Sequence, residues 1–173
     1  DLNRACLEFR HALQLNANSV NAVRGLARCA SWLGRHTEAL RQIEVFTQLD
    51  PIAPKTHVAG ASIYYAAGDY DRAIEAAREA LELESQSEPS RYFLGLAQHF
   101  AGWHETAINS LMEPSRDCSA LLSGLAFVLA RSGRHEEALK VVAEMRERAT
   151  SQADLLSPYD FAEAFAGLGD YER

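Results

Sequence analysis

Apolar side chains recur along this chain in a three-and-four rhythm: Leu26, Ala30 and Leu33, then, beyond a glycine, Leu40, Ile43 and Phe46. That spacing lays them along one face of a helix on each side of the break, and no run of alternating β-branched residues signals a strand. The break itself recurs. Gly34-Arg35-His36, Gly68-Asp69-Tyr70, Gly102-Trp103-His104, Gly133-Arg134-His135 and Gly169-Asp170-Tyr171 lie 34, 34, 31 and 36 residues apart. A period of that length accommodates two antiparallel helices per unit. Glycine at each junction suits a left-handed helix C-cap. Pro54, Ser87 ahead of Pro89, and Ser157 ahead of Pro158 mark helix starts.

Counting from each glycine exposes a packing code. Two residues later stands a ring (His36, Tyr70, His104, His135, Tyr171), five later an alanine (Ala39, Ala73, Ala107, Ala138), and six later an aliphatic (Leu40, Ile74, Ile108, Leu139). Seven before it the residue is small: Ala27, Ala61, Gly95, Ala126 and Ala162. Small residues on facing helices let the backbones approach, while aliphatic and ring positions fill the space alongside.

Leu26-Ala27, Gly34-Arg35-His36, Ala39, Phe46 and Asp50-Pro51, with Tyr64, Gly68-Asp69-Tyr70 and Ala73 in the next unit, resemble the tetratricopeptide repeat over the whole chain. The resemblance implies an all-α fold, a right-handed α-α superhelix of antiparallel helix pairs forming one array over residues 1–173. Residues 1–19 would be the second helix of a truncated repeat; repeats would follow at 20–53, 54–87, 88–118 (shortened) and 119–154, and 155–173 would supply the first helix of another. Departures are Gly60 at a usually large position, Gln98 at a ring or aliphatic position, a closing proline kept only as Pro51, and Pro114, which is expected to cut short a second helix. The module reads as cut at both ends from a longer protein, leaving apolar helix faces through which two copies would pair as a homodimer.

Composition narrows the function classes. With Lys+Arg 17 against Asp+Glu 24 the formal charge is −7, and no basic stripe offsets it, so direct nucleic-acid binding is not expected. The longest nearly uncharged apolar stretch, residues 120–130, is far short of the ~20 residues that span a membrane. Cys6, Cys29 and Cys118 are odd in number, far apart and outside any CxxC pattern, and read as small buried hydrophobes in a reducing, cytoplasmic setting.

Catalytic chemistry finds no constellation. His36, His104 and His135 occupy the position that tyrosine takes in other units, which makes them packing rings, and His11, His57 and His99 lack metal-ligand spacing. No GxSxG or phosphate-cradling glycine loop occurs, and the paired carboxylates Glu136-Glu137 and those of residues 79–84 lie on outer helix faces. Neither an enzyme activity nor a cofactor nor a metal is expected.

In the family, first helices line the concave face. Counting back from each glycine then places Asn21, Arg24, Gly25, Arg28, Ser31 and Trp32 there in the first full unit, and Lys55, Ser62 and Tyr65 in the second. Tyr92, Phe93, Leu96, His99 and Phe100 follow in the third, Ser123, Gly124, Phe127 and Arg131 in the fourth, and Tyr159, Asp160 and Glu163 in the fifth. The expected binding set is Arg24, Arg28, Ser62, Tyr65, Tyr92, Phe93, Leu96, His99, Phe127 and Arg131, a peptide groove with an aromatic middle and a basic end. Two other uses stay open: the rings fill an over-tight superhelix, and the arginines pair with acidic neighbours within the chain. Lys55 with Asn21 falls short of the clamp used by the family's chaperone-tail binders.

Ser157-Pro158-Tyr159-Asp160-Phe161-Ala162 with Gly167-Leu168-Gly169-Asp170 resembles a terminal repeat of bacterial signalling proteins. It implies a regulatory or sensory protein-interaction module of a larger signalling or transcription-regulating protein, with a protein or peptide as its partner. The alternative is a structural scaffold or self-association array whose groove is filled by its own flanking sequence.

Overall fold

The computed structural model describes residues 1–112, 119–151 and 157–169. Among them the chain is all helical, in the order α1 (Leu2–Leu15), α2 (Val20–Trp32), α3 (His36–Leu49), α4 (Pro54–Ala66), α5 (Tyr70–Leu83), α6 (Glu88–Phe100), α7 (His104–Met112), α8 (Ser119–Arg131), α9 (His135–Ser151) and α10 (Pro158–Leu168). Pro114, Cys118 and Tyr171 lie outside the described residues. The chain divides into two compact units, Asp1–Phe93 and Leu94–Arg173.

The turns explain the glycines. Gly34 has φ +70°, its amide bonds Ser31 O at 2.9 Å, and the amide of Arg35 reaches back to Ala30 O at 2.9 Å. This paired closure satisfies two carbonyls that the end of α2 would otherwise leave open, and only glycine adopts the central conformation without strain. The same two bonds recur at Gly68, where the amides of Gly68 and Asp69 meet Tyr65 O and Tyr64 O at 3.0 and 2.9 Å. At the opposite ends, Pro54 opens α4, and the Asp69 side chain accepts from the Arg72 amide at the start of α5. Ser157 and Asp160 close a reciprocal capping box around Pro158 at the start of α10.

The small positions are sealed. Ala39, Ala73, Ala107 and Ala138 are fully buried, as are Ala27, Ala61 and Ala126. A Cβ on Gly95 would collide with the Leu111 side chain, which accounts for glycine where its counterparts are alanine. In the first unit the core gathers Val23, Ala27, Ala30, Ala39, Ile43, Phe46 and Ile63, beside a smaller cluster of Cys6, Leu26 and Cys29. In the second unit Leu122, Ala126, Val142, Met145 and Ala164 form the core.

The code fails at identifiable points. Ala162 is exposed, because the described residues include no helix after α10 for it to face. Leu139 is 54% exposed, whereas Ile74 and Ile108 at the matching position are buried. Among the described residues, the ring after the turn meets another ring only where one stands five residues earlier. Tyr70 meets Tyr65 with centroids 6.1 Å apart, and His104 meets His99 at 4.8 Å. His36 and His135 follow Ser31 and Ala130 and stand exposed, so the reading of every such ring as a packing element is corrected. Gln98 is buried, and its Oε1 accepts the Ser110 hydroxyl at 2.8 Å, so a polar residue stands in a packed position at no loss of hydrogen bonding.

Candidate functional site

In the first unit the expected binding residues come from three first helices. On α2, Arg24, Arg28 and Trp32 follow at one-turn intervals. The Arg24 guanidinium donates to Asn21 Oδ1 at 3.4 Å, and that of Arg28 lies 4.9 Å from the centre of the Trp32 ring, which is 62% exposed. Among the described residues neither arginine meets a carboxylate within 4 Å, so the expected alternative of an internal ion pair does not hold there. On α4, Ser62 turns its hydroxyl to Ala59 O at 2.9 Å, while Tyr65 packs against Phe93 of α6 at 6.1 Å. Tyr92 stands edge-on to Phe93 at 5.2 Å, and all three of these rings keep part of their surface open.

The second unit has its own cluster. His99 and Phe100, at the end of α6, meet Phe127 of α8 at 5.9 and 6.1 Å, and the Nδ1 atoms of His99 and His104 are 3.0 Å apart. One ring must supply the N–H and the other the lone pair. Burial chiefly, then the neighbouring His104 and Arg131, hold His99 below the usual histidine range, so its neutral form is the stable one at pH 7. Phe100 and Arg131 are exposed and Phe127 partly so, but Leu96 is 2% exposed and His99 7%. Those two support the surface from beneath.

Other expected lining residues are otherwise engaged. A Cβ on Gly25 would run into the Phe9 ring of α1, so that position faces a neighbouring helix. Ser123 is fully buried and hydrogen-bonds Glu163 Oε2 at 2.5 Å, joining α8 to α10, and Asp160 serves the capping box.

Two buried features escaped the sequence. His57 is 9% exposed, with Nδ1 2.8 Å from Glu79 Oε2 and Nε2 2.7 Å from Pro51 O, tying α4 to α5 and to the preceding turn. Its partners stand 6 and 22 residues away, a pattern that no local motif encodes. Cys6 and Cys29, distant in sequence, share one cluster, where burial and each other's proximity push the Cys6 thiol up. Among the described residues no group of three His, Cys, Asp or Glu side chains is placed to hold a metal. No helix there is long and apolar enough to cross a membrane.

Glycine-closed helical hairpins with open faces on their first helices define a helical-repeat protein. Residues 57–87 match the family model described as Tetratricopeptide repeat. Among solved structures, a thermophilic TPR protein of Thermus thermophilus superposes with a TM-score of 0.77 at 23% identity, over 95% of this chain and 91% of that one. MamA (41-end) from Desulfovibrio magneticus gives 0.72 at 16% identity, over 87% of each chain. A Podosopora anserina putative kinesin light chain repeat protein gives 0.71 at 18%, over 88% and 89%. At these identities the likeness is one of fold. No curated protein matches the sequence.

Proposed function

We propose that this chain is a protein-interaction module that holds a peptide or partner protein against its first helices, with the repeats divided at 20–53, 54–87, 88–118 and 119–154. One observation carries the reading. The alanines between the helices of each hairpin are sealed, yet Tyr65, Tyr92 and Phe93 in one unit and Phe100 and Phe127 in the other stay partly open. Large rings with one face packed and one face wet are the usual anchors of protein recognition, since they offer area at low conformational cost. Arg131 adds an exposed guanidinium in the second unit. The resemblance of the closing segment to terminal repeats of bacterial signalling proteins supports a regulatory or sensory role beside an output domain, and the buried, unpaired Cys6 and Cys29 suit a reducing compartment.

The test places a photo-crosslinking amino acid at exposed Ala66 or Arg131, beside Tyr65 and one turn after Phe127, in living cells, and compares the adducts with those of the same crosslinking protein carrying Tyr92→Ala/Phe127→Ala. A discrete adduct, with capture lost in the alanine variant and helix content unchanged, supports the reading. Adducts only within the same chain would instead show a surface filled by flanking sequence, and loss of helicity would show that the rings are core.

A further inference from the structure

The repeat itself pairs two cysteines. One period of 34 residues after Cys6 stands Leu40, and one period after Cys29 stands Ile63; the next places in the two series hold Ile74 and Ala97. Each such pair joins a second helix to the first helix that follows it, and Leu40 and Ile63 meet in one apolar cluster. Only α1 and α2 put sulfur in either place, and they do so in both. Their register is visible one turn along. The Phe9 ring, three residues after Cys6, occupies the space that a Cβ on Gly25, four before Cys29, would need. Antiparallel helices in that register set Cys6 opposite Cys29, and both are free thiols in one cluster, 0% and 5% exposed. The absent Cβ lets α1 and α2 approach closely, as the short span of a disulfide requires. Packing alone is served by the aliphatic side chains used elsewhere in the series, whereas two facing thiols are able to bond to each other.

We propose that Cys6 and Cys29 are a modification site for hydrogen peroxide, forming a reversible disulfide that fixes α1 on α2 and is undone by a dithiol reductant. Cys29, which keeps a trace of exposure, meets the peroxide first. Its sulfur attacks one peroxide oxygen, the O–O bond breaks, and a sulfenic acid and one water result. The Cys6 sulfur then displaces the sulfenic oxygen as a second water and the S–S bond forms. Two thiols thus lose two protons and two electrons, and one peroxide becomes two waters. Burial chiefly, then the nearby Cys29, push the Cys6 thiol up and keep it protonated at pH 7, so the pair rests reduced and reacts as α1 lifts from α2. Among the described helices α1 packs on α2 alone, with the Arg10–Glu38 ion pair as its tie to α3, so a covalent bond across that interface is felt along the whole of α1.

The test treats the intact chain carrying Cys118→Ser with hydrogen peroxide, blocks the remaining thiols with N-ethylmaleimide and maps tryptic peptides without reduction. Cleavage after Arg4, Arg10, Arg28 and Arg35 leaves the two sulfurs on separate peptides, 5–10 and 29–35. The expected result is those two peptides joined in monomeric protein and separated again by dithiothreitol, with helix content unchanged and amide exchange along α1 slowed about tenfold or more. Cys6→Ala and Cys29→Ala should each abolish both the joined peptides and the slowing. Thiols that stay unchanged, sulfinic acid without a joined pair, joining only between two chains, or joining only in urea would each show that the sulfurs are not placed to bond, and would overturn the proposal. A joined pair that leaves exchange along α1 unaltered would overturn the fixing of that helix.

Discussion

Two glycines within helices show how differently the same residue is used. A Cβ on Gly60 would sit 3.5 Å from Ala76 Cβ and 3.8 Å from Ile43 Cγ1, ordinary contact distances, whereas on Gly167 it would press to 2.7 Å on the Phe127 Cα, which is backbone and does not yield. Gly60→Ala is therefore expected to raise stability by about 0.5–1 kcal/mol, and Gly167→Ala to lower it by about 1–3 kcal/mol, as read from urea midpoints. From sequence, Gly60 is a departure from the large residue expected there, but whether an added methyl is welcome depends on the neighbouring helix. His99 gives a second residue-scale expectation. Its folded state favours the neutral ring, so the unfolded chain binds the proton more readily, and stability rises with pH through the interval between the two titrations. This contribution is present above the unfolded histidine range near ~6.5 and lost as pH falls through the lower folded value. The urea midpoint should fall between pH 7.5 and pH 5, and the fall should shrink in His99→Gln; an equal fall in both proteins would contradict it.

Helices were the most legible elements, because their ends are written in local chemistry. Gly34 and Gly68 close α2 and α4 by bonds to carbonyls three and five residues back, and Pro54, Asp69 and Ser157 open the helices that follow them. The faces were less legible. The same count from glycine that finds Ala39 and Ala73 in the core also places Leu96, Ser123 and Gly25 on a binding face, where the structure buries or covers them. A helical position gives an angle, and whether that angle meets solvent depends on the neighbour's bulk: Phe9 covers Gly25, and Glu163 reaches Ser123 from α10. For α10 itself, the capping box Ser157–Asp160 is the local start signal, with Asp160 Oδ2 2.7 Å from the Ser157 amide. Ser157→Ala should cost about 1 kcal/mol and speed amide exchange in the first turn of α10, leaving α8 protected.

At the scale of the whole chain, the glycine period announces a chain of similar hairpins, but not the division between Phe93 and Leu94. That division falls inside α6, whose early ring Phe93 packs against Tyr65 and Tyr92, while His99 and Phe100 near its end associate with Phe127. Nothing in the repeat phase separates those groups, since the glycine count treats α6 like every other first helix. Repetition also creates a hazard, for hairpins alike in their apolar code are able to pair with the wrong neighbour as the chain folds. Gln98 and Ser110 bear on this. At the position of Ser110, eight after the glycine, α5 and α9 have Ala76 and Val141, neither of which can answer the Gln98 amide, whereas α3 has Gln42, which can. Ser110→Ala should destabilise by about 1–3 kcal/mol, and refolding of that variant should show more misassembled, slowly recovering protein than the wild type. A single part-buried hydrogen bond thus works as a partial address label, setting α7 apart from α5 and α9 as the partner of α6.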